Sequence, residues 1–319
     1  MTRISCPEKG EQTMPALRFV HVDVFTETPF CGNPLAVILD GQGLTGEQMQ
    51  AIAREMNLSE TTFILPSTEA TAHVKMRIFT PQLELPFAGH PVVGTSYVLA
   101  TEGLIPRREE SFEIRLELGV GVLPVEIACT DGVITQVTMT QRAPQFLAVL
   151  PSADVEQLAR GLGLDPQDIL GTGLPAQLVS TGLPQLMVPV RSLAAVQAIK
   201  LELGQLHTIC ERYATHSIYT FTRETVTPGA YMHSRLFAPL AGVFEDPATG
   251  SASGALGAYL VHHRVVDSDA LVVHLENEQG YELGRPSRIV IEVARNGSTI
   301  SRVRVGGRVV KVIDGAVYV

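Results

Sequence analysis

Apolar and polar positions alternate along most of this chain in short runs, the period of half-buried strands rather than of helices. Such runs predict strands at 17–24, 36–39, 62–65, 73–78, 111–118, 123–128 and 133–138 in the first half. In the second half they fall at 178–179, 186–190, 217–221, 233–237, 271–275, 288–293 and 300–319. Asp131-Gly132, Asn296-Gly297 and Gly306-Gly307 carry the chemistry of tight hairpin turns. Helical signals are fewer. Thr45 and Gln48 form a capping box ahead of Met49, Ile52, Ala53 and Met56, one apolar stripe of a surface helix over 45–56. Similar stripes predict helices at 153–161 and 192–213, whereas 91–100 and 252–262 are small or apolar on nearly every side and should be buried.

The pattern repeats. Arg77-Ile78-Phe79-Thr80-Pro81 returns as Arg235-Leu236-Phe237-Ala238-Pro239, displaced by 158 residues. After three inserted residues, Glu84, Pro86, Gly89 and Leu99 match Glu245, Pro247, Gly250 and Leu260, each displaced by 161. Upstream, Gly32-Asn33-Pro34 is echoed by Gly182-Leu183-Pro184. Each copy reads strand, turn, buried helix, which is the signature of an internal duplication. Duplicated halves pack about a pseudo-twofold axis, so the two turns should meet across a cleft at two helix N-termini, whose free N–H groups favour a carboxylate or enolate oxygen.

Composition narrows the partner. The 319 residues are 45% hydrophobic and 18% charged, enough for about two domains with ample core. A net charge of −9 lacks the basic face that nucleic acid or an anionic membrane requires, leaving a small molecule as the expected partner. No apolar run is long enough to span a bilayer. Residues 1–16 have no apolar core of a secretory signal and are expected to be a disordered extension. Cys6, Cys31, Cys129 and Cys210 stand apart without metal-ligand spacing, which fits a reduced, cytoplasmic protein with no metal.

The two turns bring different chemistry. One holds Gly89 and His90; the other runs Asp246-Pro247-Ala248-Thr249-Gly250-Ser251. A proton acceptor is suggested by Glu60 in Leu58-Ser59-Glu60-Thr61-Thr62-Phe63, an acid between a helix and an apolar strand, where partial burial would raise its pKa toward the range of a general base. The matching stretch 214–221 has no carboxylate, so one base is implied. Glu60 could instead cap a helix or pair with Arg77, and Asp246 before Pro247 could be a turn or cap residue.

With Phe30-Cys31-Gly32-Asn33-Pro34-Leu35-Ala36-Val37, Leu58 to Phe63, Arg77 to Pro81, Pro86-Phe87-Ala88-Gly89-His90-Pro91 and Glu245 to Ala252, the chain from about Leu17 onward resembles the PhzF-like phenazine-biosynthesis proteins. These are relatives by fold of diaminopimelate epimerase and proline racemase. The resemblance implies an α+β fold of two similar, pseudo-twofold-related domains, each a curled, barrel-like antiparallel sheet around a central helix. It implies a first domain at 17–128, completed by a strand at about 306–319, and a second at 129–305. It also implies an isomerase without cofactor or metal, and suggests a homodimer. In that family the glutamate at the position of Glu60 moves a proton on trans-2,3-dihydro-3-hydroxyanthranilate. Ser59, Gly89, His90, Asp246, Gly250 and Ser251 then fall on substrate-binding positions, and preorganised donors of this kind are worth roughly 3 to 4 kcal/mol each in the transition state. The thiol pair of the racemases is lacking at both turns.

Two further readings compete. Gly41-Gln42-Gly43-Leu44-Thr45-Gly46 fits the glycine pattern of dinucleotide-binding loops, which would make the chain a dehydrogenase, though no train of alternating strands and helices follows. A third possibility keeps the cleft as a non-catalytic binder of small acids.

Overall fold

The computed structural model describes residues 16–106, 108–241, 243–266, 270–297 and 299–319. The extension expected at 1–16 lies outside them except for Ala16, which already belongs to the first strand. In chain order the first half comprises β1 (Ala16–Val24), β2 (Asn33–Ile38), α1 (Gly46–Met56), β3 (Glu60–Leu65), β4 (Val74–Phe79), β5 (Glu84–Leu85), α2 (Gly89–Thr101), β6 (Phe112–Leu118), β7 (Gly121–Thr130) and β8 (Val133–Thr140). The second half begins with β9 (Gln145–Val149), α3 (Ser152–Leu162), α4 (Pro166–Leu170), β10 (Gln177–Ser180), β11 (Pro184–Pro189), α5 (Leu193–Gln197), α6 (Leu203–Arg212) and β12 (Ile218–Thr222). It continues with β13 (Met232–Ala238), β14 (Val243–Asp246), α7 (Gly250–His262), β15 (Val272–Gln279), β16 (Ser287–Asn296), β17 (Thr299–Gly307) and β18 (Val309–Tyr318).

Pairing establishes the duplication beyond sparse identities. In the first half β1 and β2 are antiparallel, β2 and β3 parallel, β3 and β4 antiparallel, and β4 carries β5 antiparallel and β6 parallel before the β6–β7–β8 meander. Strands β10 to β17 repeat that series step for step. The two copies join through antiparallel pairing of β8 with β17, so a sheet of 18 strands runs through both. The ends are exchanged: β18 follows the second copy but pairs with β1, and β9 follows the first but pairs with β10.

Each sheet curls around its own apolar helix. Helix α2 packs against β1, β2, β7 and β8, and α7 against β10, β11, β16 and β17. Their side chains form two separate cores, one holding Val92, Val93, Val98 and Leu99, the other Ala252, Leu256, Tyr259 and Leu260. Removing such residues from water is worth about 1.5 to 3 kcal/mol for each large aliphatic side chain. Val137 and Met139 of β8 belong to the core around α2, so a boundary at 128/129 would cut the β7–β8 hairpin; we propose that it falls after Thr140. That hairpin closes on Asp131 (φ 51°) and Gly132 (φ 71°), the two positive φ values of a tight turn that matches strand twist.

Two expected elements are divided. The single helix at 192–213 is α5 and α6, because the backbone between them turns away to bond with α3: Lys200 N–H donates to Leu162 O and Glu202 N–H to Gly161 O. The strand expected at 300–319 breaks at Arg308, whose carbonyl accepts from Thr26 N–H as the chain crosses back to the first half.

Candidate active site

Helices α2 and α7 begin against each other. A Cβ placed on Gly89 would lie 3.3 Å from the Ser251 backbone nitrogen, and one on Gly250 would lie 3.0 Å from Phe25 Cζ. At neither helix start does the N-cap side chain accept from a first-turn N–H, in contrast to α1, whose Thr45 and Gln48 close a full capping box. Two sets of forward amide groups therefore point into the junction of the halves, a favourable place for a carboxylate.

Glu60 opens β3 and His90 is the second residue of α2; Glu60 Oε2 lies 3.2 Å from His90 Nε2. Both atoms are buried and neither makes a hydrogen bond of acceptable angle. Buried polar atoms left unsatisfied are rare in proteins and call for an explanation, of which a catalytic role is one. Burial, and after it the charge of Asp246, pushes the Glu60 carboxyl up to about 8. Burial alone pushes the His90 imidazole down to about 3, so it is neutral at any physiological pH. The structure pairs Arg77 with Glu84, both guanidinium bonds being 2.7 Å, and leaves Glu60 to His90.

Asp246 ends β14. Its Oδ1 accepts from Asn33 Nδ2 at 2.9 Å and its Oδ2 from the Thr249 hydroxyl. Burial raises its carboxyl to about 6, with these two donors holding it lower than burial alone would. Asn33 starts β2, is fully buried, and also donates to Ala248 O at 2.9 Å, tying the first half to the turn of the second. The sequence places Asn33 in the repeat and in the family-like string 30–37 but assigns it no role at the site; its position at the head of a strand beside Gly32 was the available signal. Ser59 is half-buried and immediately precedes Glu60, while Ser251 follows Gly250 in the first turn of α7 and its carbonyl accepts from Thr181. Six of the seven expected residues thus converge on one junction by contact or charge, and Ser59 adjoins it along the chain.

Symmetry fails where the chemistry is. Thr61 opposite Phe79 in the first half corresponds to Ile218 opposite Phe237 in the second, so the counterpart of Glu60 is Ser217, a buried residue with no carboxylate. The alternative glycine string leads into α1 across a single parallel pair, β2 and β3, but the capping box already satisfies that helix start, and a Cβ on Gly46 would lie 3.3 Å from Arg77 Nη2. It is a turn. Among the described residues no group of three or more His, Cys, Asp or Glu could hold a metal, and no helix is long and apolar enough to cross a membrane.

The family described as phenazine biosynthesis-like protein, PhzC-PhzF, matches residues 22–315. This chain belongs to that family. It is 35% identical to the trans-2,3-dihydro-3-hydroxyanthranilate isomerase of Pseudomonas aeruginosa over 94% of this chain and 99% of the relative. An uncharacterised isomerase of Mesorhizobium japonicum is 36% identical over 96% of this chain and all of its own. Among solved structures, the PhzF-family phenazine biosynthesis protein of Bacillus anthracis superposes with a TM-score of 0.86 at 32% identity, covering 96% of this chain and 100% of that one. The structure of a probable proline racemase of Agrobacterium radiobacter shares the fold at a TM-score of 0.64 and 13% identity, covering 95% of this chain and 92% of that one. As a PhzF-family protein the chain is an isomerase or epimerase with the two-domain α+β fold that the resemblance implied.

Proposed function

We propose that this protein moves a proton on a small cyclic or amino-acid-like carboxylate, with Glu60 as the single acid/base and no cofactor. The observation that carries the proposal is the buried, unsatisfied contact between Glu60 and His90 at the mouth of two uncapped helix starts. The amides of Gly89 and His90 on one side and Gly250 and Ser251 on the other would bind the substrate carboxylate. His90, neutral, and Asp246, held by Asn33 and Thr249, would orient an amino or hydroxyl group. Glu60 would take the proton from one carbon and return it to another, its raised pKa placing both transfers near neutral pH. The Pseudomonas relative makes trans-2,3-dihydro-3-hydroxyanthranilate the first substrate to try. In the same reading the protein acts in the cytoplasm as a homodimer, a state that sedimentation would check.

Solvent deuterium incorporation, followed by NMR over a panel of cyclic and amino-acid carboxylates, tests this. Exchange is expected for one class and should vanish in Glu60→Gln; exchange that persists there overturns the single base. Binding without exchange across the panel would make the protein a small-acid binder.

A further inference from the structure

Five equivalent core positions differ in kind between the halves. Around α2 they are Thr62, Met76, Val92, Leu116 and Leu118; around α7 they are Tyr219, Ser234, Ser253, Asn277 and Gln279, equivalent by strand register and by the repeat. All five polar residues of the second half are fully or almost fully buried. Their side chains bond to one another: Tyr219 Oη meets Ser253 Oγ at 2.9 Å, accepts from Ser234 at 2.9 Å and Asn277 at 2.8 Å, and donates to Gln279 Oε1 at 3.0 Å. Burying this many polar groups gains nothing over an apolar core for folding, as the first half demonstrates at four of the same five places.

The network ends at the site. Gln279 uses all its capacity: Oε1 accepts from Tyr219 and from Thr249 N–H at 3.1 Å, while Nε2 donates to Asp246 O at 2.7 Å and to Thr249 Oγ at 3.1 Å. Its amide directs the lone pair of the Thr249 hydroxyl, whose own proton then goes to Asp246 Oδ2. By engaging Thr249 N–H it also leaves the amides of Gly250 and Ser251 as the first free donors of α7. We propose that Gln279 is a positioning residue for the isomerase reaction, holding the 246–250 turn so that Asp246 and the first amides of α7 face the substrate, with the buried Tyr219 network as its anchor. The role rests on the function proposed above, but its physical effect on the turn does not.

The test compares wild type with Gln279→Met, which loses all four bonds, and Gln279→Glu, which keeps the Oε1 acceptor and loses the amide donor. In folded Gln279→Met, kcat for deuterium exchange should fall at least tenfold with KM within threefold, and the Asp246 carboxyl, followed by carbon NMR, should titrate at higher pH as the Thr249 bond loosens. Hydrogen exchange at the Thr249 amide should speed up at least tenfold in Gln279→Met and return to within threefold of wild type in Gln279→Glu, while kcat stays low in both. Unchanged kcat and Asp246 titration in Gln279→Met, with only a lower melting temperature, would overturn the proposal. If Gln279→Met does not fold, unchanged kcat in Gln279→Glu does so. If wild type exchanges no substrate, the proposed function fails, and the Asp246 titration and Thr249 exchange still decide whether Gln279 positions the turn.

Discussion

Glu60 Oε2 and His90 Nε2 stand 3.2 Å apart with no hydrogen bond between them, a carboxyl titrating near 8 beside an imidazole titrating near 3. Their order is inverted from that in water, so across neutral pH the proton at this contact belongs to the glutamate. If Glu60 must be ionised to accept the first substrate proton, kcat/KM should rise about tenfold per pH unit and level off near 8. A profile flat from pH 6 to 9 would remove Glu60 from the rate-determining transfer.

The same burial sets a stability effect. The folded carboxyl, raised from 4.5 to about 8, keeps a proton that the unfolded chain releases, so its stabilising contribution is full below 4.5 and is lost as pH rises to 8. Glu60→Gln cannot ionise and should therefore be more stable than wild type at pH 8, by on the order of 1 to 4 kcal/mol, and equal to it near pH 4. Urea melts at both values check the sign.

His90→Gln should slow exchange roughly ten- to a hundredfold, the loss of an orienting group, while leaving the pH midpoint where Glu60 puts it. The pH–rate profile of this variant decides, since an imidazole acting as the base would take the limb away with it.

A Cβ at Gly89 would stand between the two helix starts, 3.3 Å from Ser251 N. Gly89→Ala should raise KM for the carboxylate at least tenfold with the melting temperature within a few degrees of wild type. Saturation kinetics and calorimetry separate the two effects.

His233 bridges Glu278 and Glu282 at 2.8 and 3.0 Å and is fully buried. Burial opposes its charge, but the two carboxylates outweigh that and raise it from 6.5 to about 9. Its stabilisation is complete below 6.5 and lost as pH climbs through 9. His233→Gln, leaving the buried Glu278 without its cationic partner and held by the Val226 and Thr227 amides, should cost about 3 kcal/mol at pH 6 and much less at pH 10. Equal losses at both pH values would mean the histidine is packed neutral.

The repeat was legible because it is carried by residues with short-range work. Arg77 grips Glu84 with both bonds at 2.7 Å and Arg235 grips Glu245 with both at 2.8 Å, and each guanidinium lies 5.0 Å over the ring two residues on, Phe79 or Phe237. Such contacts fix residue type at fixed spacing. Glu60 was visible for a similar reason: an acid at the head of an apolar strand. Asn33 and Gln279 were not, since their partners lie 213 and 33 residues away and an amide in a strand has no distinguishing pattern. Strand β9 was missed because its side chains are mostly exposed and give no alternation; only pairing with β10 makes it a strand. The split of α5 from α6 was decided by carbonyls of α3, which lie outside any local window.

The exchange of β9 and β18 has a bearing on how the chain reaches this state. Emerging from the ribosome, residues 16–140 contain every strand of the first sheet but the one that covers β1, and that one arrives with the last ten residues of ordered pairing, Val309 to Tyr318. The N-terminal half is thus the first made and the last completed. Until Val309–Tyr318 has been made, β1 presents an open edge, and a chain stalled or clipped before that strand would show its defect at β1, about 290 residues earlier in the sequence.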